Sequence, residues 1–164
     1  MVPSALIFLI LGSAQAETLT GRVVGVTDGD TLTLLDATRQ PHKIRLAGID
    51  APEKKQDFGQ KAKLHLSELA YGELATANCR KRDRYRRDIC AVRVKGNDVG
   101  LEQLAAGLAW WYRQYAKEQT TRERTEYEQA ENDARSHRTG LWASPSPTPP
   151  WEWRHEKSAN LLSQ

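Results

Sequence analysis

The chain has 164 residues, long enough for one domain of ordinary size with a single buried core. Its 24 Lys and Arg against 21 Asp and Glu leave a formal charge of only +3, so the placement of charge says more than its total. No internal repeat is visible, and no apolar run approaches the ~20 residues of a bilayer-spanning helix, which argues against a repeat array and against membrane-spanning helices.

The first sixteen residues carry no charge and hold the apolar run Ala5 to Leu11, followed by Ala14-Gln15-Ala16, a small-x-small pattern of the kind signal peptidase cuts after. They read as a secretory signal, although the segment lacks the usual Lys or Arg. A buried strand or helix is the competing reading. Residues 1–16 are therefore expected to be removed and the mature protein to be secreted or periplasmic, without membrane attachment.

Leu19 to Thr27 and Thr31 to Leu35 are rich in β-branched residues and leucine and flank an Asp-Gly suited to a hairpin turn. His42 to Ala47 follows with Ile44 and Leu46 alternating against Lys43 and Arg45. Helical spacing then takes over from about Gln60 to Ala70 through Ala62, Leu66, Leu69 and Ala70. Glu73 to Cys79 and Ile89 to Lys95 supply two more strands around a basic turn. Leu101, Leu104, Ala105 and Leu108 predict a helix capped by Asn97 or Asp98 and ended at Gly107. A third helix runs from about Thr121 to His137 and stops at Gly140. Five short strands with a helix between the third and fourth predict an α+β fold, a five-stranded OB-fold barrel with three helices.

This domain is expected over residues 17–143. Residues 144–164 begin with Ser144-Pro145-Ser146-Pro147-Thr148-Pro149-Pro150, an extended linker by composition. Trp151 and Trp153 are expected to dock the tail on the barrel, with Lys157 to Gln164 frayed.

Cys79 and Cys90 stand symmetrically about Arg84 and Tyr85, so a hairpin turning there sets them opposite each other, both on the apolar face. A disulfide suits an exported chain, two buried thiols are the alternative, and zinc lacks ligand spacing. Arg80, Lys81, Arg82, Arg84, Arg86, Arg87 and Arg93 crowd the same region, a patch matched to a phosphate polymer or simply a solvated hairpin tip.

Two runs carry the chemistry: Asp28-Gly29-Asp30-Thr31, and Arg45-Leu46-Ala47-Gly48-Ile49-Asp50-Ala51-Pro52-Glu53. Each has an ordinary explanation, a hairpin turn for the first and something close to a helix-capping box at Asp50 to Glu53 for the second. Neither explains Arg45, whose side chain shares a surface with the carboxylates. Together the runs offer oxygens to a hard cation and a guanidinium to a phosphate.

These two runs, with Asp83-Arg84-Tyr85-Arg86-Arg87, resemble the staphylococcal nuclease family from roughly Leu19 to Trp142, in the family's order. The resemblance implies a Ca²⁺-dependent, sugar-non-specific endonuclease on DNA and RNA that leaves 3′-phosphate and 5′-hydroxyl ends, acting as a monomer. It implies Asp30, Asp50 and the backbone carbonyl of Ala51 as metal ligands, with Asp28 orienting metal-bound water. Arg45 and Arg87 would bind the phosphate, Glu53 would be the general base, and Tyr85 and Tyr115 would lie beside the nucleotide. Arg86 departs from the family's glycine, which leaves open whether Arg86 or Arg87 reaches the phosphate. A binding module that has lost its catalytic residues, or a Ca²⁺-binding export protein, are the rival readings.

Overall fold

The computed structural model describes residues 17–162. The expected signal segment, with the cleavage and export that go with it, lies outside the described residues, as do Ser163 and Gln164.

Three strands form the opening meander: β1 (Glu17–Asp28), β2 (Thr31–Asp36) and β3 (Pro41–Leu46). β1 is twelve residues long because it serves two neighbours: Glu17 to Arg22 pair with β5 (Leu74–Arg82), and Gly21 to Asp28 pair with β2. Irregular register at Val23/Gly25 and Val26/Asp28 falls within the half paired with β2, where such bulges sharpen a strand's twist. Gly21 sits at the crossing, where a Cβ would lie 2.3 Å from the Leu35 carbonyl oxygen. β5 turns back into β6 (Asp88–Val94), and a parallel pairing of β3 with β6, from Ile44↔Asp88 to Leu46↔Cys90, closes the five-stranded barrel.

Strand alternation fills that barrel. Val23, Leu32, Leu34, Ile44, Leu46, Ala75, Ala77, Val92 and Val94 point inward and are buried. Helix α1 (Gly59–Ala70) presents Ala62, Leu66 and Ala70 to the same core, every fourth residue on one face. Cys79 and Cys90 face each other in register and form the expected disulfide, with both residues buried.

Helix α2 (Val99–Ala105) starts at Asp98, whose carboxylate accepts from the N–H groups of Gly100 and Leu101. The same carboxylate accepts from the Tyr127 hydroxyl at 3.1 Å, tying α2 to helix α3 (Thr121–Ser136). α3 opens with a complete Thr120–Glu123 capping box.

Three features go beyond the sequence reading. A second, two-stranded sheet joins β4 (Ile49–Asp50) to β8 (Trp110–Trp111), and a two-residue β7 (Asn97–Asp98) extends the barrel edge. The tail is also not frayed from Lys157: after the proline-rich segment it forms a fourth helix, α4 (Pro150–Leu162). Pro150 stands at the first helical position, where its fixed φ and missing N–H cost nothing, and Trp151 anchors the helix on the barrel side. Among the described residues no helix is long and apolar enough to cross a membrane.

Candidate active site

The turn between β1 and β2 is a two-residue hairpin, with Asp28 paired to Thr31 and Gly29-Asp30 at its tip. Gly29 lets this tip press on the molecule: a Cβ there would meet the Ala62 and Ala51 Cβ atoms at 2.5 and 2.8 Å. Gln103, fully buried, holds the tip from below by donating to the carbonyls of Gly29 (2.6 Å) and Ala62 (2.9 Å). Asp30 is thereby turned inward and is only 6% exposed. Its Oδ1 accepts from the Thr31 hydroxyl, and its Oδ2 accepts from the Ala51 N–H at 3.1 Å, which is where the two runs of the sequence meet.

Asp50 is buried because β4 pairs it with Trp110. No capping box forms at Asp50 to Glu53, since α1 starts only at Gly59; instead the Glu53 N–H donates to the Gln56 side chain. Arg45 projects from β3 on the face opposite Ile44 and Leu46, and its Nη2 lies 2.9 Å from Asp50 Oδ1 and 3.4 Å from Asp30 Oδ2. One guanidinium thus joins both carboxylates.

Electrostatics follow from this crowding. Burial, reinforced by the neighbouring Asp30 charge, pushes Asp28 up to about 6, while its Oδ1 accepts from the Asp30 N–H. Burial also pushes Asp30 upward, but Arg45, the Ala51 N–H and the Thr31 hydroxyl outweigh it and hold Asp30 below its ordinary value. Asp50 stays above its ordinary value, because burial, with Asp30 adding to it, exceeds what the arginines return. Burial opposes the charge on Arg45, and the two aspartates more than offset that.

The basic hairpin contributes Arg87 rather than Arg86. Asp83 accepts from the backbone N–H groups of Tyr85 and Arg87 and from Arg87 Nε at 2.8 Å, so a single carboxylate shapes the turn and aims the guanidinium. Arg87 Nη1 reaches the Thr31 hydroxyl at 3.4 Å. Arg86 takes the left-handed conformation (φ 62°) and stays exposed, which preserves the register that glycine would give.

One cleft of about 860 Å³ collects all of these groups: Asp28, Asp30, Arg45, Asp50, Ala51, Glu53, Tyr85, Arg87 and Tyr115 all line it. Tyr85 stands 64% exposed at its rim under the guanidiniums of Arg84 and Arg87, and Tyr115 lies under the Lys81 ammonium. Two further residues of the cleft, Tyr112 and Arg154, contact this acid and arginine set. Tyr112 is drawn in by the β4–β8 pairing, with its N–H on the Gly48 carbonyl and its ring 5.9 Å below the Arg45 guanidinium. Arg154 arrives from α4, donating to both oxygens of Asp50 and to Glu53 Oε1. The signal for Arg154 was the helix start at Pro150, which puts Trp151 and Arg154 three apart on one face.

An OB barrel whose open face gathers carboxylates and fixed guanidiniums is equipped to act on a phosphodiester chain. The profile of the family described as staphylococcal nuclease homologue matches residues 43–144. An endonuclease of Haemophilus influenzae is 40% identical over 156 residues, covering 95% of this chain and 84% of that protein. A micrococcal nuclease of Shigella flexneri is 36% identical over 162 residues (93% and 90%), and the ParB protein of Escherichia coli is 33% identical over 164 residues (94% and 90%). The chain belongs to the staphylococcal nuclease family, and by class it is a nuclease, a hydrolase whose substrate is nucleic acid.

Proposed function

We propose that the chain is a Ca²⁺-dependent endonuclease that hydrolyses both DNA and RNA and leaves 3′-phosphate and 5′-hydroxyl ends. The observation that carries this reading is the single Arg45 guanidinium shared by two buried carboxylates in a cleft that also holds Glu53 and Arg87.

The donor set fits a hard, irregularly coordinated cation. Asp30 Oδ1 and Asp50 Oδ2 each accept one hydrogen bond among the described residues, which leaves lone pairs on two carboxylates whose charges repel. Among those residues no three His, Cys, Asp or Glu side chains form a cage by themselves, so waters and phosphate oxygens would complete the shell, as Ca²⁺ tolerates. Asp30, Asp50 and the Ala51 carbonyl would hold the ion, Asp28 would orient its water, and the bound Ca²⁺ would neutralise charge on the phosphoryl group.

The protein's own groups do the rest. Arg45 and Arg87 bond the phosphoryl oxygens, in fixed positions set by Asp50 and Asp83, and the planar guanidinium fork matches a phosphate bidentately. Glu53 takes a proton from the attacking water. Tyr85 and Tyr115 offer ring faces to any base, which suits an enzyme of low sequence preference. Export to the periplasm or medium as a monomer completes the reading, supported by the signal-like segment and the disulfide.

Incubation with circular plasmid and with RNA, in Ca²⁺, in Mg²⁺ and in excess chelator, tests it. The expected result is breakdown of both polymers in Ca²⁺ that stops in chelator, with phosphate at the 3′ ends. Retarded but intact DNA would favour a binding module instead.

A further inference from the structure

The C-terminal helix lies beyond the stretch that matches the family profile, yet its most polar contact is with the centre of the cleft. Three contacts seat it there. The Gln56 side chain donates to the Thr148 carbonyl at 2.6 Å, fixing the proline-rich segment. Trp151 stacks on Tyr112 at 5.6 Å with the rings 6° from parallel, and it meets Trp110 edge-on at 6.3 Å. One turn along, Arg154 places Nη2 2.7 Å from Asp50 Oδ2 and Nη1 2.8 Å from Glu53 Oε1 and 3.3 Å from Asp50 Oδ1.

We infer that Arg154 is a positioning residue of the hydrolytic site, orienting the Glu53 carboxylate against Asp50, so that the active site extends into α4. This rests on the nuclease reading above. Arg154 is the sole hydrogen-bond partner of the Glu53 carboxylate among the described residues. Glu53 is 39% exposed on a loop, and an unanchored glutamate there would spread over many rotamers. A planar fork bonded to two carboxylates at once fixes their mutual direction, which a point charge cannot do. The contact also leaves a lone pair for a cation: among the described residues Asp50 Oδ2 accepts only from Arg154, and a carboxylate oxygen has two lone pairs. Arg154 therefore assembles the site beside the ion rather than taking its place.

The test uses the full chain. Arg154→Ala should lower kcat by about tenfold to a hundredfold with KM changed less than about threefold, and Arg154→Lys should recover only part of it. In a Glu53→Ala background the same change should cost less than about threefold, because a residue acting through Glu53 has nothing left to position. An unchanged or raised kcat in Arg154→Ala, as an inhibitory plug would give, overturns the inference, and so does a full further loss in the Glu53→Ala background. A thermal-unfolding cycle of Arg154→Ala with Asp50→Asn reads the contact without activity: unequal melting shifts in the two backgrounds are expected, and additive shifts overturn it. A wild-type chain that cleaves neither polymer would defeat the nuclease reading, whereas additive melting in an active enzyme would defeat this inference alone.

Discussion

Arg45 bonds Asp50 directly whereas Glu53 is joined to it through Arg154, and these different environments predict different consequences of removal. Glu53 is partly exposed and, among the described residues, its carboxylate bonds only Arg154, so Glu53→Ala should reduce turnover by ~10²–10⁴ with the melting temperature nearly unchanged. Arg45 is 13% exposed and shared by two buried carboxylates, so Arg45→Ala should lose turnover on a similar scale and also stability, by ~3–5 kcal/mol without a cation, as expected when one partner of a buried pair is deleted. Steady-state kinetics beside thermal unfolding checks both; losses below tenfold in both variants would contradict the assigned roles. A pH effect arises away from the cleft. Hydrogen bonds from His42, Thr38 and Gln40 hold Asp36 below the ordinary aspartate range. A depressed carboxylate stabilises the fold above its unfolded value of ~4 and loses that contribution as pH falls. Asp36→Asn should therefore melt below wild type at pH 7, with the gap closing progressively as the pH falls below ~4. Several of these residues were legible in sequence: Arg45 stood out because strand alternation set it against Ile44 and Leu46. Arg154 did not, because its position depends on a helix following a proline run and on a tertiary stack of Trp151 with Tyr112.

At the scale of elements, alternation and helical spacing placed all five barrel strands and the three helices of the folded domain, since each buries one face against the same core. The short β4 and β8 escaped, because a two-residue pairing has no period; it is fixed only when the chain brings Asp50 beside Trp110. The basic hairpin shows how a local departure is absorbed. Arg86 occupies φ 62°, a conformation that costs a non-glycine residue ~1–2 kcal/mol, and the Asp83 hydrogen bonds hold it there. Arg86→Gly should relieve that strain and stabilise the protein by up to about 1 kcal/mol after the greater freedom of glycine in the unfolded chain is counted. Urea unfolding measures it, and a lower midpoint in the variant would contradict the strain at this position.

For the whole molecule, the barrel does little chemistry itself but fixes where loops distant in sequence converge. The β1–β2 tip, the segment after β3, the β5–β6 hairpin and α4 all open on one face, bringing carboxylates and guanidiniums within a few ångströms. Their charges suit the cation and phosphate proposed above: Asp30 and Asp50 crowd each other, while Arg45, Arg87 and Arg154 crowd the same space with positive charge. Each ligand should therefore strengthen the binding of the other, and by the same factor. Calorimetric titration of the intact chain with Ca²⁺, in the presence and absence of a nucleoside 3′,5′-bisphosphate, measures this directly. The account predicts that Ca²⁺ binds at least about tenfold more tightly when the bisphosphate is present, and the bisphosphate likewise when Ca²⁺ is present, a coupling of ~1.4 kcal/mol. Two affinities independent of each other would mean that cation and phosphate do not share this cleft, and would contradict the mechanism built on it.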